Sequence, residues 1–488
     1  MKSHKVQRKK TIIVGAGFGG LGMAVALSQA GEDDFLVVEK FSDIGGVWRD
    51  NSYPGCTCDV PSHLYSFSFA PYESREKRYP SQQDILRYLQ NVAADFGVYE
   101  RIKLNVEVLK AHYRQEKRCW DILTSSGHYR ADIVIFATGQ LHQPNYPRIP
   151  GLKGFTGSMM HSARWDDGID LQRKRVSVIG TGSSAAQMLP KLAEVASEVL
   201  IYQRNPHWIL PKPHTDFNRL ERFLLSLPGA HKAYRRALSH GADILLSPIP
   251  RCRAWRYIVQ CYAKYNLRRQ VTDQKLVEKL TPGYPIGSKQ IVLDNTFYAT
   301  LQQENVKLVA EPITSISGKT IESWKEGAKE TDVVVLATGF RASDSLLPIS
   351  VRGRDSHCLQ KDWERGAEAF LGIALWGYPN LFVIAGPNSF DPAGSNLGME
   401  ELQIAYIVRC LQWKRENLAE TIEVDQRAVL EYQEWLTKKV DRTVWAGSVD
   451  SWYKHESGKV TSPWPASRRA FEKKLRSDPR NSFVLEDH

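Results

Sequence analysis

The chain has 488 residues, 42% of them apolar and 24% charged, and its 65 Lys and Arg against 54 Asp and Glu leave a net charge of +11. This length is more than one hydrophobic core supports, so two or three domains are expected, and the composition excludes disordered and fibrous classes. The basic balance favours phosphate-bearing ligands and anionic surfaces; with no zinc-finger spacing, RNA-binding aromatic motif or long basic tract, nucleic acid is excluded as the partner.

At the start, basic residues from Lys2 to Lys10 precede the apolar run TIIVGAGFGGLGMAVAL, an order that mimics a secretory leader. The glycines of that run belong instead to a dinucleotide turn. Thr11 to Val14 reads as a strand, Gly15-Ala16-Gly17-Phe18-Gly19-Gly20 as the turn, the residues through Ala30 as a helix, and Phe35 to Val38 as a second strand ending at Glu39. Gly15 permits the tight turn, Gly17 lets the backbone approach a pyrophosphate, and Gly20 allows helix to pack closely on strand. Glu39, 19 residues beyond Gly20, is placed to accept hydrogen bonds from ribose hydroxyls.

The pattern returns at Val176 to Ile179, with Gly180-Thr181-Gly182-Ser183-Ser184-Ala185 as the turn and a helix through Leu192. After the strand Val199 to Gln203 the chain carries Arg204 where an NAD site carries an acid. A guanidinium pairs with a 2′-phosphate, so NADP is favoured; the alternative is a solvated strand-end charge. Two such sites form a hydride-transfer pair, nicotinamide to flavin. Two matching strands, Asp132 to Gly139 and Asp332 to Gly339, each end in Ala-Thr-Gly. They are suited to returning the chain to the edge of a nucleotide domain, with Thr138, Thr338 and Gly339 as cofactor contacts.

The expected fold class is α/β, with two dinucleotide-binding, Rossmann-like domains and a helical insert. The first domain takes residues 1–145 and 330–488, the second 146–215 and 270–329, and the insert 216–269. No run of about 20 apolar residues exists to span a membrane, although the basic, amphipathic insert admits peripheral contact with a membrane surface. Seven cysteines are few and odd in number, and Cys56 and Cys58 form C-x-C, so neither a redox dithiol nor a metal site is expected. Reduced thiols in a cytoplasmic protein are the simplest account.

Gly45-Gly46-Val47-Trp48, followed by Tyr53-Pro54-Gly55 and Asp59, fits the motif G-G-x-W-x(4)-Y-P-G-x(3)-D. Phe155-Thr-Gly157-Ser-Met-Met-His161-Ser-Ala-Arg-Trp165-Asp166 fits F-x-G-x(3)-H-x(3)-W-[PD]. On these residues the chain resembles the Baeyer–Villiger monooxygenases, among flavoproteins with two dinucleotide-binding domains, and the likeness runs from about residue 10 to 465. The resemblance implies FAD and NADPH as cofactors. It also implies a peroxyflavin that inserts one atom of molecular oxygen into a small organic substrate, first of all a ketone. It places Gly46, Trp48, Tyr53 and Asp59 at the flavin, with Asp59 holding an active-site cation and the nicotinamide; a turn carboxylate is the alternative for Asp59. It gives His161 and Trp165 a role in domain closure, and joins Lys289 to Arg204 in a two-cation clamp on the 2′-phosphate. Gly386-Pro387-Asn388-Ser389 matches the segment beside the flavin ring, with Ser395 and Asn396 nearby. Trp445, Trp452 and Trp464 are expected to pack rather than to line a pocket.

The sequence departs from the family at one position. After Lys289 the family carries an arginine that stabilises the anionic oxygen nucleophile, and here the residue is Gln290. A neutral donor is weaker than a charged one, which favours sulfur or nitrogen oxygenation unless Lys289, Arg341 or an arginine of the insert supplies the charge. The remaining alternatives are an NADPH oxidase that releases hydrogen peroxide and a non-catalytic nucleotide-binding protein.

Overall fold

A computed structural model of the chain describes residues 6–72, 76–344 and 346–486. Two sheets organise it. The first runs Ser350–Arg352, Val108–Arg114, Cys119–Thr124, Gly127–Phe136, Gln7–Val14, Phe35–Val38, Ile102–Lys103, and Leu381–Val383 also pairs with Gly127–Phe136. Its nucleotide half is parallel, while Val108–Arg114, Cys119–Thr124 and Gly127–Phe136 form an antiparallel meander. The second sheet is parallel throughout, in the order Val306–Val309, Glu198–Tyr202, Arg175–Ile179, Val333–Leu336, Ser158–His161. Helices cover these strands on both faces, which is why Ile12 and Ile13, and Val333 to Leu336, are uninterrupted apolar runs that are buried almost completely.

The two Ala-Thr-Gly strands are interior, not edge, strands. Gly127–Phe136 lies directly beside Gln7–Val14, and Val333–Leu336 lies directly beside Arg175–Ile179. Pairing beside the turn strand gives each motif its use. The carbonyl of Ala137 stands 2.6 Å from where a Cβ on Gly15 would be, and that of Ala337 stands 2.3 Å from the same point on Gly180. Both glycines also hold a positive φ, +106° and +116°. A side chain is therefore forbidden twice over at the first glycine of each turn. The pairing of Val333–Leu336 also carries the second sheet past residue 329, where the sequence places its limit.

The chain crosses between the sheets twice, and the two crossings are bonded to each other. Asn145 N donates to Gly339 O at 2.9 Å, Arg341 N donates to Gln143 O at 2.9 Å, and Thr338 Oγ1 donates to Asn145 O at 2.5 Å. The insert leaves after Ile209–Leu210 and returns at Val292–Leu293, strands that pair with each other. It consists of the helices Arg219–Leu225, Ala230–Leu245 and Arg253–Gln270, as its composition leads one to expect. The long helix Asn396–Glu416 packs on Phe18–Gln29 and closes the first domain.

Gly180 and Gly182 differ in a way that stability measurements resolve. A Cβ on Gly182 meets nothing within 4 Å. Gly180→Ala is expected to destabilise the apoprotein by about 1–3 kcal/mol in urea unfolding, and Gly182→Ala to leave it unchanged.

Candidate active site

At the first turn, Gly17 caps the helix Phe18–Gln29 in an extended conformation and faces Gly46 across a narrow gap. A Cβ on Gly46 would lie 3.1 Å from the Gly17 Cα. The cleft is thus bare backbone on both walls, a cradle that any side chain would fill, and it fits a pyrophosphate. Gly20 lies against the Gly15 carbonyl, which a Cβ would strike. Glu39 is buried at the end of its strand, and its carboxylate already accepts from Ala16 N at 2.9 Å, Phe41 N at 3.1 Å and Arg49 Nη1 at 3.2 Å. Those bonds fix it against the turn.

Trp48 donates its indole N–H to Tyr65 OH at 2.9 Å and meets that ring edge-on. Beside this cluster, on Asn396–Glu416, the Glu400 Oε2 is sealed from solvent without a partner, 3.5 Å from where a Cβ on Gly19 would be. Burial, with a smaller push from Glu401, raises its carboxyl to about 8. Burial therefore favours the neutral form of the Glu400 carboxyl.

The motif Tyr53-Pro54-Gly55-x(3)-Asp59 meets the other domain chiefly at Gln187, on the helix Ser183–Val195. Gln187 Oε1 accepts from Tyr53 OH at 2.9 Å and from Thr57 N at 3.3 Å; its Nε2 donates to Thr57 O at 3.1 Å and to Asp59 Oδ1 at 3.0 Å. Ser184 of the second turn also reaches the Tyr53 phenol, whose pKa burial raises. Asp59 Oδ1 lies 2.7 Å from Lys212 Nζ, and the lysine side chain is only 8% exposed. A buried ammonium thus stands beside the acid that the motif places at the flavin.

At the second turn, Thr181 is buried and Gly182 caps the helix Ser183–Val195 with open space before it. Arg204 is exposed, 3.7 Å from Asp450. Lys289 is pushed below the usual lysine range by burial and then by Arg204, with Asp450 opposing. The two cations are thus neighbours, as a 2′-phosphate clamp requires, and Asp450 balances them in its absence. His207, beside Lys289, is lowered to about 4 by burial and is neutral. A partly open cavity adjoins this clamp, lined by Leu246 and Arg251 of the insert, Lys289, Asp391, Trp445 and Trp464 among others. Trp445 and Trp464 both line it and are packed, Trp445 donating to Gly287 O at 2.8 Å, whereas Trp452 packs on Phe390. Gly287, Lys289, Ile291 and Leu293 contribute to the wall at every second position. Gln290 is half-buried and is not among the residues of that wall.

The remaining residues occupy the connections. His161 ends the strand Ser158–His161, 1% exposed, between Tyr146 and Phe340 at ring distances of 5.4 and 6.1 Å. It therefore leans on both interdomain crossings. Its Nδ1 accepts from Ala163 N at 3.1 Å, and burial lowers its pKa to about 4, so it is neutral and unsuited to supply a proton. Trp165 packs on the second domain's core, and the neighbouring Arg164 pairs with Asp50 at 3.3 Å, next to Trp48 in sequence. Thr338 bonds the opposite crossing, and Thr138 and Gly139 begin the outgoing one. Asn388 has φ +53°, and its amide donates to Val460 O at 3.0 Å and Pro463 O at 3.3 Å, pinning the C-terminal segment. Ser395 caps the helix Asn396–Glu416, and Asn396 accepts from Asp391 N at 2.7 Å. The cysteines are free among the described residues; burial raises the Cys56 thiol to about 12 and the Cys58 thiol higher still. Neither is a nucleophile at neutral pH.

Sequence reasoning missed Lys212, Gln187, Glu400 and Arg164. Lys212 carries one weak signal, its position between Pro211 and Pro213 directly after a strand; the other three carry none.

Comparison with known proteins follows the same lines. A family model described as pyridine nucleotide-disulphide oxidoreductase matches residues 12–219. The chain is 36% identical over 487 residues to a Baeyer-Villiger monooxygenase of Pseudomonas aeruginosa, covering 98% of this chain and 91% of that protein. It is 37% identical over 471 residues to a Baeyer-Villiger monooxygenase of Streptomyces coelicolor, covering 96% and 91%. A crystal structure of OTEMO in complex with FAD and NADP superposes with a TM-score of 0.88 at 26% identity, over 99% of this chain and all of that one.

Glu400 makes the apoprotein's stability depend on pH. The unfolded carboxyl titrates near 4.5 and the folded one near 8, so the folded state retains a proton that the unfolded chain releases. The resulting stability is complete below the unfolded value and is lost as pH rises through the folded one. The melting temperature of the wild-type apoprotein is expected to fall between about pH 5 and 8 more steeply than that of Glu400→Gln.

Proposed function

The chain belongs to the Baeyer–Villiger monooxygenase family, and from that membership we propose that it converts a ketone to an ester, with Lys212 as the cation at the reacting centre. It is an FAD- and NADPH-dependent flavoprotein monooxygenase. When bound, FAD and NADPH supply the electrons that split molecular oxygen, one atom entering the substrate and the other leaving as water. The chain's own residues do the rest. Gly15, Gly17, Gly20 and Gly46 admit the FAD pyrophosphate to bare backbone, with Glu39 behind them. Thr181 to Ser184 receive the NADPH pyrophosphate, and Arg204 with Lys289 holds its 2′-phosphate. His161 and Trp165 steady the connections between the domains.

The observation that carries the ketone reading is the Lys212–Asp59 pair at 2.7 Å. Attack on a carbonyl needs an oxygen that keeps its negative charge, and a fixed, water-poor ammonium favours that charge. Gln290 cannot supply it. Asp59, held by Gln187, keeps the ammonium in place, so the charge is positioned before substrate arrives. Oxygenation at sulfur or nitrogen is the second reading, favoured by the neutral Gln290, and it needs no such cation. The substrate is a small molecule. Among the described residues no helix is long and apolar enough to cross a membrane; the free cysteines support a cytoplasmic site of action.

Lys212→Met is expected to lower kcat for ketone oxidation by about a hundredfold or more, with sulfide oxidation changed much less. Lys212→Arg retains ketone activity. Both variants are checked for bound flavin by absorbance. Equal loss of the two activities with flavin still bound assigns Lys212 a merely structural part and removes the ketone reading.

A further inference from the structure

The helical insert is built with its apolar side outward. On Arg253–Gln270 the inward residues are Ala263, Asn266 and Leu267, which pack toward the strand Ile209–Leu210 and the helix Phe297–Thr300. The opposite side carries Tyr257, Ile258, Tyr262 and Tyr265, spaced for one helical face and all more than half exposed, Tyr257 by 69%. A helix in a closed surface buries its aromatic stripe, and this one presents it to solvent. Elsewhere on the insert Leu220, Phe223, Leu224, Leu227, Ile244 and Leu245 are exposed as well. Ten of the twenty large apolar side chains exposed among the described residues therefore fall on this one segment.

The charge of the segment says what covers that face. Residues 216–269 hold eleven Lys and Arg against three Asp and Glu, a net +8 of the chain's +11. The helix Ala230–Leu245 shows how the charges are arranged. Its inner side is tied to the first domain: Arg235 donates to His63 O and Ser66 O, and Asp243 accepts from Arg468 N at 3.0 Å. Its outer side carries Lys232, Arg236 and His240, which are exposed, and ends in Ile244. Apolar groups thus lie at both ends of a basic helix about 24 Å long. Arg219 and Arg222 flank the first group, and Arg253, Arg268 and Arg269 flank the second, all exposed.

We propose that the outer face of the insert docks on a lipid bilayer carrying anionic headgroups. The apolar side chains enter the boundary between headgroups and acyl chains, and the arginines and lysines lie along the phosphates. A second copy of the chain is a poor occupant, because it brings an identical basic face. The same segment lines the active-site cavity from within through Leu246, Ile249 and Arg251. A membrane-dissolved substrate therefore meets the insert on one side and the cavity on the other. This surface does not depend on which atom of the substrate is oxidised.

Co-sedimentation of the holoenzyme with vesicles tests the proposal. With mixed phosphatidylcholine and phosphatidylglycerol at low salt the enzyme is expected to pellet, and with phosphatidylcholine alone to stay largely in solution. Tyr257→Ser/Ile258→Ser and Phe223→Ser/Leu224→Ser each weaken vesicle binding by roughly tenfold. Flavin absorbance and turnover of a water-soluble substrate stay unchanged, since none of these side chains lines the cavity. Absence of binding to the anionic vesicles, or binding that the substitutions do not weaken, overturns the proposal. So does a dimer in light scattering that the same substitutions dissociate, which assigns the face to a second copy.

Discussion

One carboxamide makes a dense set of bonds between the halves of this enzyme. Gln187 rises from the helix that follows the second glycine turn and makes four hydrogen bonds to the loop that follows the first. A side-chain amide can accept two hydrogen bonds and donate two, and this loop uses all four. Its bond to Asp59 orients the carboxylate whose other neighbour is Lys212, so this buried ion pair is positioned by a residue of the opposite domain. A buried ammonium is costly unless paired, and here pairing, domain contact and chemistry depend on the same few atoms.

The second organising constraint is a repetition. Each domain places a strand ending in Ala-Thr-Gly beside its glycine turn, and each time the alanine carbonyl excludes a side chain from the first glycine. The turn is tight because its neighbour leaves no alternative. The domains have then diverged in what stands around the turn. The first is lined by Glu39, Trp48, Tyr65 and the buried Glu400, and the second by Arg204, Lys289 and Asp450. The first set is mainly aromatic and acidic, and the second is dominated by two cations, the chemistry that favours an extra phosphate.

Much of this was legible in the sequence. The glycine spacings, Arg204 and the two linker motifs are local strings, and local strings determine local backbone. The fold class follows from them directly. The order of strands did not, and so the place of the Ala-Thr-Gly segments directly beside the glycine turns comes only from their pairing. Lys212 and Glu400 were invisible for a different reason. A lysine becomes a catalytic candidate only when it is buried beside an acid, and Asp59 lies 153 positions away. Glu400 follows Met399 on what reads as an ordinary helix, and nothing in the string shows that its carboxyl is sealed in. Gln290 was legible as a departure, but the compensation for it was not.

The paired crossings at Asn145 and Gly339 have a mechanical consequence. Two strands of backbone bonded edge to edge behave as a ribbon and not as a thread. A ribbon bends readily about the axis across its width, while twisting it or sliding its strands shears the hydrogen bonds between them. The paired crossings thereby resist shear and twist at the point where the chain passes from one sheet to the other.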